Sequence, residues 1–338
     1  MEKSNTFNIQ PYRRAIQLGF AALCILIGVQ FSVFIGQVEQ GITPSVLRPA
    51  GVEAFLPISA LISLKYWLLT GVFNKVHPAG LILLLIIIVT GLFLKRGFCS
   101  WVCPAGLASE YLAKVHGLLF RKLLTLPRWL DYPLRGLKYL ILLFFLWSIM
   151  VQMNVVYLER FIYSTYNKAA DIKMLKFFTQ ISMTTLLVLA GLVVLSILIR
   201  SFWCRYLCPY GALLGALSWL SPLKIRRNQD TCINCQKCTK VCPVQILVHK
   251  ETSVLSDECN ACLQCVDACP VSDTLYLSVG RSKGRMSGWT YAVIIVLVFL
   301  LGTTLARLTG FWQNNISVNE YRYLIQQATQ TGHPYYIE

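Results

Sequence analysis

Residues 232–270 read CINCQKCTKVCPVQILVHKETSVLSDECNACLQCVDACP, a string in which Cys232-x2-Cys235-x2-Cys238-x3-Cys242-Pro243 recurs as Cys259-x2-Cys262-x2-Cys265-x3-Cys269-Pro270. Three thiolates spaced one turn apart on a tight loop cap one face of an iron–sulfur cubane, and the fourth, at the start of a short helix, reaches across to the partner group. The spacing therefore assigns Cys232, Cys235, Cys238 and Cys269 to one [4Fe–4S] cluster, and Cys259, Cys262, Cys265 and Cys242 to a second. A pair of structural zinc sites is the alternative, since four thiolates also suit tetrahedral zinc, but zinc does not need the doubled pattern.

Over about residues 225–280 the chain resembles two-cluster bacterial ferredoxins, which implies a small α+β module. The rest is too apolar for a soluble enzyme: 56% of the 338 residues are hydrophobic and the mean hydropathy is +0.57, values that belong to a membrane protein. Thirteen cysteines would suggest disulfides in a secreted chain, yet twelve fall into four regularly spaced motifs, which points to metal ligation on a reducing face. Only Cys24 is left over, and it reads as a small packing residue. The net charge of +16 does not indicate nucleic acid, because the Lys and Arg residues gather beside apolar spans, as cytoplasmic flanks do.

Residues 1–16 are polar and carry Arg13 and Arg14; about 17–37 is then apolar for roughly the 20 residues that a bilayer requires. This stretch lacks a small-residue cleavage site and reads as a retained helix. From Arg48 to Thr70, Glu53, Pro57 and Lys65 interrupt the apolar run, so the segment is expected to lie at the interface or re-enter, either walling a quinone pocket or resting on the surface as an amphipathic helix. Further spans are expected at about 79–96, 137–157, 180–199 and 286–306 (apolar from 288). Between the second and third, residues 107–136 form a basic stretch (Lys114, Arg121, Lys122, Arg128, Arg135) broken by Pro127 and Pro133, expected against the membrane surface. The organisation predicted is a membrane domain over 1–222, a two-cluster ferredoxin-like domain over 223–285, a final span over 286–306 and a polar tail over 307–338 with no specified fold. The fold class is thus mainly α, a polytopic helical membrane protein of about five spans with a small α+β insertion.

Two spans end alike. Lys95-Arg96 leads into Phe98-Cys99-x3-Cys103-Pro104-x-Gly106, and Arg200 leads into Trp203-Cys204-x3-Cys208-Pro209-x-Gly211, an internal repeat whose two motifs must emerge on the same face. Neither pair completes a four-thiolate site alone, so Cys99, Cys103, Cys204 and Cys208 are candidate ligands of a shared third iron–sulfur cluster; local redox disulfides or helix-turn packing are the alternatives. Grouping 1–16, 95–138 and 200–285 on one face collects 22 of the 31 Lys and Arg, which predicts that the motifs and the ferredoxin module are cytoplasmic and the C-terminus extracytoplasmic.

These helix-end cysteine motifs followed by two ferredoxin motifs resemble the NapH-type polyferredoxins and the membrane half of NosR over most of residues 15–280, without the large N-terminal flavin-carrying domain of NosR. The resemblance implies a multi-pass protein of the bacterial cytoplasmic membrane that exchanges electrons between an exchangeable quinone and redox partner subunits, iron–sulfur proteins or cytochromes, within a respiratory chain. An electron-transfer subunit of an oxidoreductase complex is expected, and no substrate-converting residues are visible. A CcoG-like metal-reducing assembly factor and a non-enzymatic, cluster-bearing anchor are the alternatives. No Cys-x-x-Cys-His occurs, no nucleotide-binding glycine pattern occurs, and the four histidines (His77, His116, His249, His333) lie in loops or surface segments, which argues against haem and nucleotide chemistry. His77, at the outer end of a span beside Glu53, is a candidate for a proton-coupled quinone site; a water-facing helix-start histidine is the plainer expectation.

Overall fold

Proline opens four of the described helices and a left-handed glycine, Gly71, stops one, so these limits follow from backbone chemistry. The computed structural model describes residues 8–120, 126–280 and 284–327; Arg121, Lys122, Arg281, Lys283, His333, Tyr335 and Tyr336 lie outside the described residues. Helix α1 (Gln10–Glu39) precedes a 3-10 turn at Ala50–Phe55. Next comes α2 (Pro57–Thr70), with Pro at its first position and Gly71 at φ +71° as its stop. Helix α3 (Pro78–Leu94) runs into the short α4 (Gly97–Trp101) and then α5 (Pro104–Leu119). Helix α6 (Arg128–Leu146) continues through a π-helical turn at Trp147–Gln152. The Asn154 and Ser164 side chains cap α7 (Val155–Tyr163) and α8 (Thr165–Lys168) by accepting from Tyr157 N and Asn167 N. Helices α9 (Ala170–Thr179) and α10 (Met183–Leu198) follow, then a π-helical turn at Trp203–Leu207 and α11 (Pro209–Leu220).

The remainder is β1 (Leu223–Arg227), α12 (Lys237–Lys240), β2 (Ser253–Val254), α13 (Gln264–Asp267), β3 (Leu275–Val279), β4 (Gly284–Met286), α14 (Gly288–Leu308) and α15 (Val318–Gln327). The four strands form one antiparallel sheet in the order β2-β1-β3-β4, with Ile225 opposite Leu277 and Val254. Buried Leu223, Ile225, Leu275 and Leu277 share one face by the two-residue period of a strand. A small α+β element therefore sits where the ferredoxin-like motifs are.

Each of the five expected spans coincides with a helix, but among the described residues three are long and apolar enough to cross a membrane: Gln10–Glu39, Trp129–Gln152 and Gly288–Leu308. Ala170–Thr179 and Met183–Leu198 form a pair bent by 77°, and Pro78–Leu94 is apolar but shorter. Leu26, Leu140, Leu187 and Leu301 stand 64–66% exposed on these helices, apolar surface that suits lipid. The third span begins near Trp129, some residues before the expected start at 137, because Pro133 lies within the first turns of α6 and does not break it.

The chain divides into two compact units. The first comprises Met1–Ala21, Ile87–Leu142 and Val188–Phe299, and the second Ala22–Ile86, Leu143–Leu187 and Leu300–Glu338. In the first, several cations read from sequence as flanks are buried: Arg13 (1% exposed) donates to both Glu110 carboxylate oxygens at 2.6 and 2.9 Å, and Lys95 (0%) donates to Val254 O at 2.9 Å. Lys138, also 0% exposed, pairs with Glu258. In the second unit the described part of the tail, to residue 327, is folded, where the sequence specified no fold. Its helix α15 sets Tyr321, Leu324 and Ile325 into a core with Phe31, Phe34 and Ile172, with Tyr321 edge-on to Phe34 at 5.5 Å. Lys65, which interrupted the 48–70 run, donates to the carbonyls of Ile149 and Met150 at 3.0 and 3.1 Å and to that of Met153, and so satisfies the end of the π-helical turn.

Candidate functional site

In both ferredoxin-like loops the residues flanking the middle cysteine have left-handed backbone: Asn234 and Gln236 at φ +52° and +60°, Ala261 and Leu263 at φ +48° and +60°. Such values are uncommon for residues with a Cβ, and two repeats sharing them at matching positions mark a constrained loop. The loops lead into α12 and α13, which carry the third cysteines, Cys238 and Cys265.

The resulting thiols group crosswise. Cys232, Cys235, Cys238 and Cys269 line one cavity. Cys242, Cys259, Cys262 and Cys265 line a second. Four thiols around a walled space are a donor set that fits a multi-iron group, and among the described residues no three His, Cys, Asp or Glu side chains converge closely enough to hold a single ion. Val248, Val254 and Leu263 screen the second cavity from water, and Ile246 N donates to Cys242 Sγ at 3.4 Å. Apolar screening and N–H···S bonds are the levers that set a cluster's potential. Burial, opposed by the nearby Arg13 guanidinium, pushes the Cys262 thiol up to about 12. Iron binding at such a thiol must therefore displace a proton.

The repeated helix-end motifs are built alike. The amides of Cys103 and Cys208 donate to the carbonyls of Phe98 and Trp203, five residues back, at 2.9 and 3.0 Å. Each cysteine is then the cap of a helix that opens with proline, and Gly211 N donates to Cys208 Sγ at 3.4 Å. The N-terminal N–H groups thus face a sulfur and oppose, without overcoming, the burial that pushes the Cys208 thiol up. The glycine of each motif explains itself sterically: a Cβ on Gly106 would fall far inside 3.0 Å of the Cys99 carbonyl oxygen, and one on Gly211 would lie 3.0 Å from Cys204 O. Cys204 is in electrostatic contact with Cys103, Cys208 and Cys99, so the two repeats bring their four cysteines together. Burial and the neighbouring Cys99 push the Cys103 thiol up to about 12.

The first motif also lies on the second ferredoxin-like loop. Ser100 Oγ donates to Asn260 O at 2.6 Å, and fully buried Trp101 donates through Nε1 to Ala261 O at 3.1 Å. Arg96 donates through Nη1 to Asp257 O and Glu258 Oε2 at 3.0 and 3.1 Å, and its buried guanidinium also meets the Cys99 sulfur electrostatically. Tyr291 sits edge-on to Trp101 at 5.4 Å and donates to Leu94 O at 2.7 Å, in electrostatic reach of Cys259, Cys262 and Cys99. Sequence reasoning missed Arg96 and Tyr291. Arg96 was visible as one of two basic residues ending a span, but hydropathy cannot distinguish a surface flank from a buried partner.

Two of the histidines are buried where water-facing or surface positions were expected. His77 is 1% exposed and not water-facing; its Nδ1 lies 3.6 Å from Glu53 Oε1, so the structure does bring this pair together. His116 is likewise buried, with Nδ1 2.7 Å from Ile197 O, where a surface position was expected. His249 lines the first cavity and pairs with Thr239 Oγ1 at 2.8 Å. Cys24 is half-buried on α1.

A family model described as a 4Fe–4S binding domain matches the chain twice, over residues 76–127 and 181–228, the two halves of the internal repeat. A 4Fe–4S dicluster domain model matches residues 224–270. Over 332 residues the chain is 42% identical to the Escherichia coli (strain K12) protein named "Putative electron transport protein YccM", covering 96% of this chain and 93% of that one. The chain belongs to this family of ferredoxin-type 4Fe–4S proteins. The methylamine utilization ferredoxin-type protein MauN of Paracoccus denitrificans is 27% identical over 149 residues, 44% of this chain and 48% of that one. The regulatory protein NosR of Stutzerimonas stutzeri is 29% identical over 157 residues, 44% of this chain and 20% of that one. No solved structure matches the chain. Ferredoxin-type 4Fe–4S domains and helices apolar enough to cross a membrane together describe a membrane-bound electron-transport protein.

Proposed function

We propose that this ferredoxin-type protein relays single electrons between the membrane quinone pool and redox partner subunits of a respiratory chain. Two [4Fe–4S] clusters are held by Cys232, Cys235, Cys238 and Cys269, and by Cys242, Cys259, Cys262 and Cys265, with a third iron–sulfur group on Cys99, Cys103, Cys204 and Cys208. When bound, such groups supply one-electron oxidation and reduction at potentials set by burial, charge and hydrogen bonds to sulfur. The observation that carries this reading is the hydrogen-bonded contact of the Cys99–Cys103 turn with the Cys259–Cys265 loop through Ser100 and Trp101, which joins two of the cysteine sets within the compact unit that also holds the third. Sets this closely joined suit a relay better than independent structural sites. At the quinone end the reading uses Glu53 and His77. The ferredoxin-like module faces the cytoplasm and the C-terminal tail lies outside, supported by the gathering of 22 of the 31 Lys and Arg on the module's side.

The test is anaerobic purification followed by addition of a soluble quinol analogue. Bleaching of the iron–sulfur absorbance with paramagnetic signals from coupled cubanes supports the relay. Clusters that stay oxidised under quinol while the protein reduces copper or iron ions would instead favour an assembly factor, and clusters inert to both would favour an anchor.

A further inference from the structure

The second unit holds a set of ionisable groups outside the cysteine sites. Arg48 donates to Glu53 Oε1 at 2.9 Å and, through Nε and Nη2, to Asp171 Oδ2 at 3.0 and 2.7 Å. Glu53 also accepts from Gly80 N at 2.9 Å, and Asp171 from Tyr321 OH at 2.9 Å and Ile172 N at 2.8 Å. Both carboxylate side chains are 0% exposed and that of Arg48 is 6% exposed. One guanidinium faces two carboxylates, so the set carries one uncompensated negative charge away from water. Such a charge is strongly unfavourable unless a proton joins it.

His77 is where that proton binds. Its Nε2 lies 2.7 Å from Asn167 O, and a carbonyl only accepts, so Nε2 carries hydrogen and Nδ1 is the atom that titrates. Nδ1 is buried without a hydrogen-bond partner and sits 3.6 Å from Glu53 Oε1. The groups facing it are Glu53 and Arg48 ahead of α2 and Asp171 from α9, with Tyr321 from α15 acting through Asp171. Burial disfavours the imidazolium, but Glu53 and Asp171 outweigh both burial and Arg48, so proton affinity rises above the ordinary value.

The loop that presents His77 also walls a cavity of about 320 Å³, within the size range of small-molecule sites. Phe73, Val76, Tyr163 and Ile316 supply flat and aliphatic surface, and Lys75 and Asn315 supply donors. Val76 adjoins His77, Lys168 adjoins Asn167 and Glu320 adjoins Tyr321, so three lining residues are chain neighbours of the buried set. Asn74, 2% exposed with an unpartnered Nδ2, lies on the same loop. Lys168 and Glu320 pair across the lining at 2.7 Å, and this mixed wall of rings, aliphatic surface and donors suits a flat ring bearing oxygens.

We propose that this cavity seats the ring of a quinone, and that His77 carries the proton the ring gains on reduction and loses on oxidation. This rests on the quinone reading given above. Oxidation of quinol breaks two O–H bonds and releases two electrons and two protons. The electrons leave singly to the iron–sulfur groups; each time, His77 Nδ1 first gives the proton it holds to water and then takes one from the ring, so the buried set is neutral again after each step. Quinone reduction runs the same steps backwards.

The experiment uses the full-length protein in nanodiscs with a short-chain naphthoquinone and its quinol. Affinity is read by titrating the oxidised protein with the oxidised quinone, and transfer by the pH dependence of quinol-driven bleaching. His77→Gln is expected to keep iron content and quinone affinity, slow bleaching by about 100-fold and remove a pH inflection. Lys75→Met, at an exposed position, is expected to weaken affinity by about fivefold with iron intact. If His77→Gln does not fold, Glu53→Gln serves: removal of the carboxylate charge must move the inflection to lower pH. An unchanged rate and pH profile in the His77 variant, an unmoved inflection in the Glu53 variant, or unchanged affinity in the Lys75 variant overturns the assignment while the relay stands. Absence of bleaching by any quinol in the unaltered protein overturns the relay and this site together.

Discussion

Replacing Gly106 by Ala and, separately, Gly211 by Ala tests how closely the backbone of each cysteine turn approaches the glycine of its helix-end motif. In a helix, Ala is better than Gly by about 1 kcal/mol, so a glycine kept only by chance would yield a stabilised variant at both places. At Gly106 the new Cβ would fall far inside 3.0 Å of Cys99 O, with Cys99 C at 3.2 Å, and backbone cannot rotate aside as a side chain does. Overpacking of this kind costs about 1–3 kcal/mol, which exceeds the propensity gain and pushes the Cys99 turn away from its partners. At Gly211 the contacts are 3.0 Å, one of them to the flexible end of Arg96, so gain and strain nearly cancel. Thermal unfolding followed through the iron–sulfur absorbance, with iron and acid-labile sulfide measured on the same samples, should show Gly106→Ala melting several degrees lower and short of iron, and Gly211→Ala near the parent. Equal behaviour of the two variants, or a Gly106→Ala protein with full iron and raised stability, would refute the reasoning.

Cys103→Ser and Cys208→Ser should lose the same portion of iron and leave the paramagnetic signals of the two ferredoxin-type clusters intact; different losses would separate the two pairs. Glu258→Gln leaves Lys138 and Arg96 without their shared carboxylate, and breaking a buried pair of this kind costs about 3–5 kcal/mol, checked by denaturant unfolding. Trp101→Phe keeps an aromatic ring but strands the Ala261 carbonyl, for a loss of about 1 kcal/mol on the same assay. Because the Cys103 and Cys262 thiols are pushed up to about 12, they stay protonated at neutral pH until iron displaces the protons, so reconstitution of the stripped protein should slow as pH falls, measured by iron uptake. An alkaline phosphatase reporter fused after residue 250 should be inactive, and one fused after residue 330 active.

The cysteine spacing made the crosswise grouping legible, because three ligands on a short loop leave the fourth no geometric choice. The paired helix-end motifs were legible for a related reason: proline and glycine at fixed offsets specify a turn, and a repeated turn implies a repeated setting. Burial of charge was not legible. Arg13, Lys95 and Lys138 look like any membrane-flanking cations until Glu110, the Val254 carbonyl and Glu258 are brought to them from distant parts of the chain. The tail failed in the same way, since Tyr321, Leu324 and Ile325 are too few to signal a core without Phe31 and Phe34. The shortness of α10 and the bend before it arise around Gln180 and Ser182, a polar break too brief for a hydropathy window to resolve.

Arg13 shares its end of α1 with Gln10, whose side chain donates to Cys262 O at 3.1 Å and to Asp267 at 2.7 Å, partners 252 and 257 positions further along the chain. A ribosome working at about 5–20 residues per second therefore completes the beginning of α1 long before anything exists for it to hold. The order of biogenesis follows. The first helix waits in the membrane with its polar end unsatisfied, the ferredoxin-like segment emerges late, and closure of Gln10 onto the Cys262 loop is among the last events of assembly.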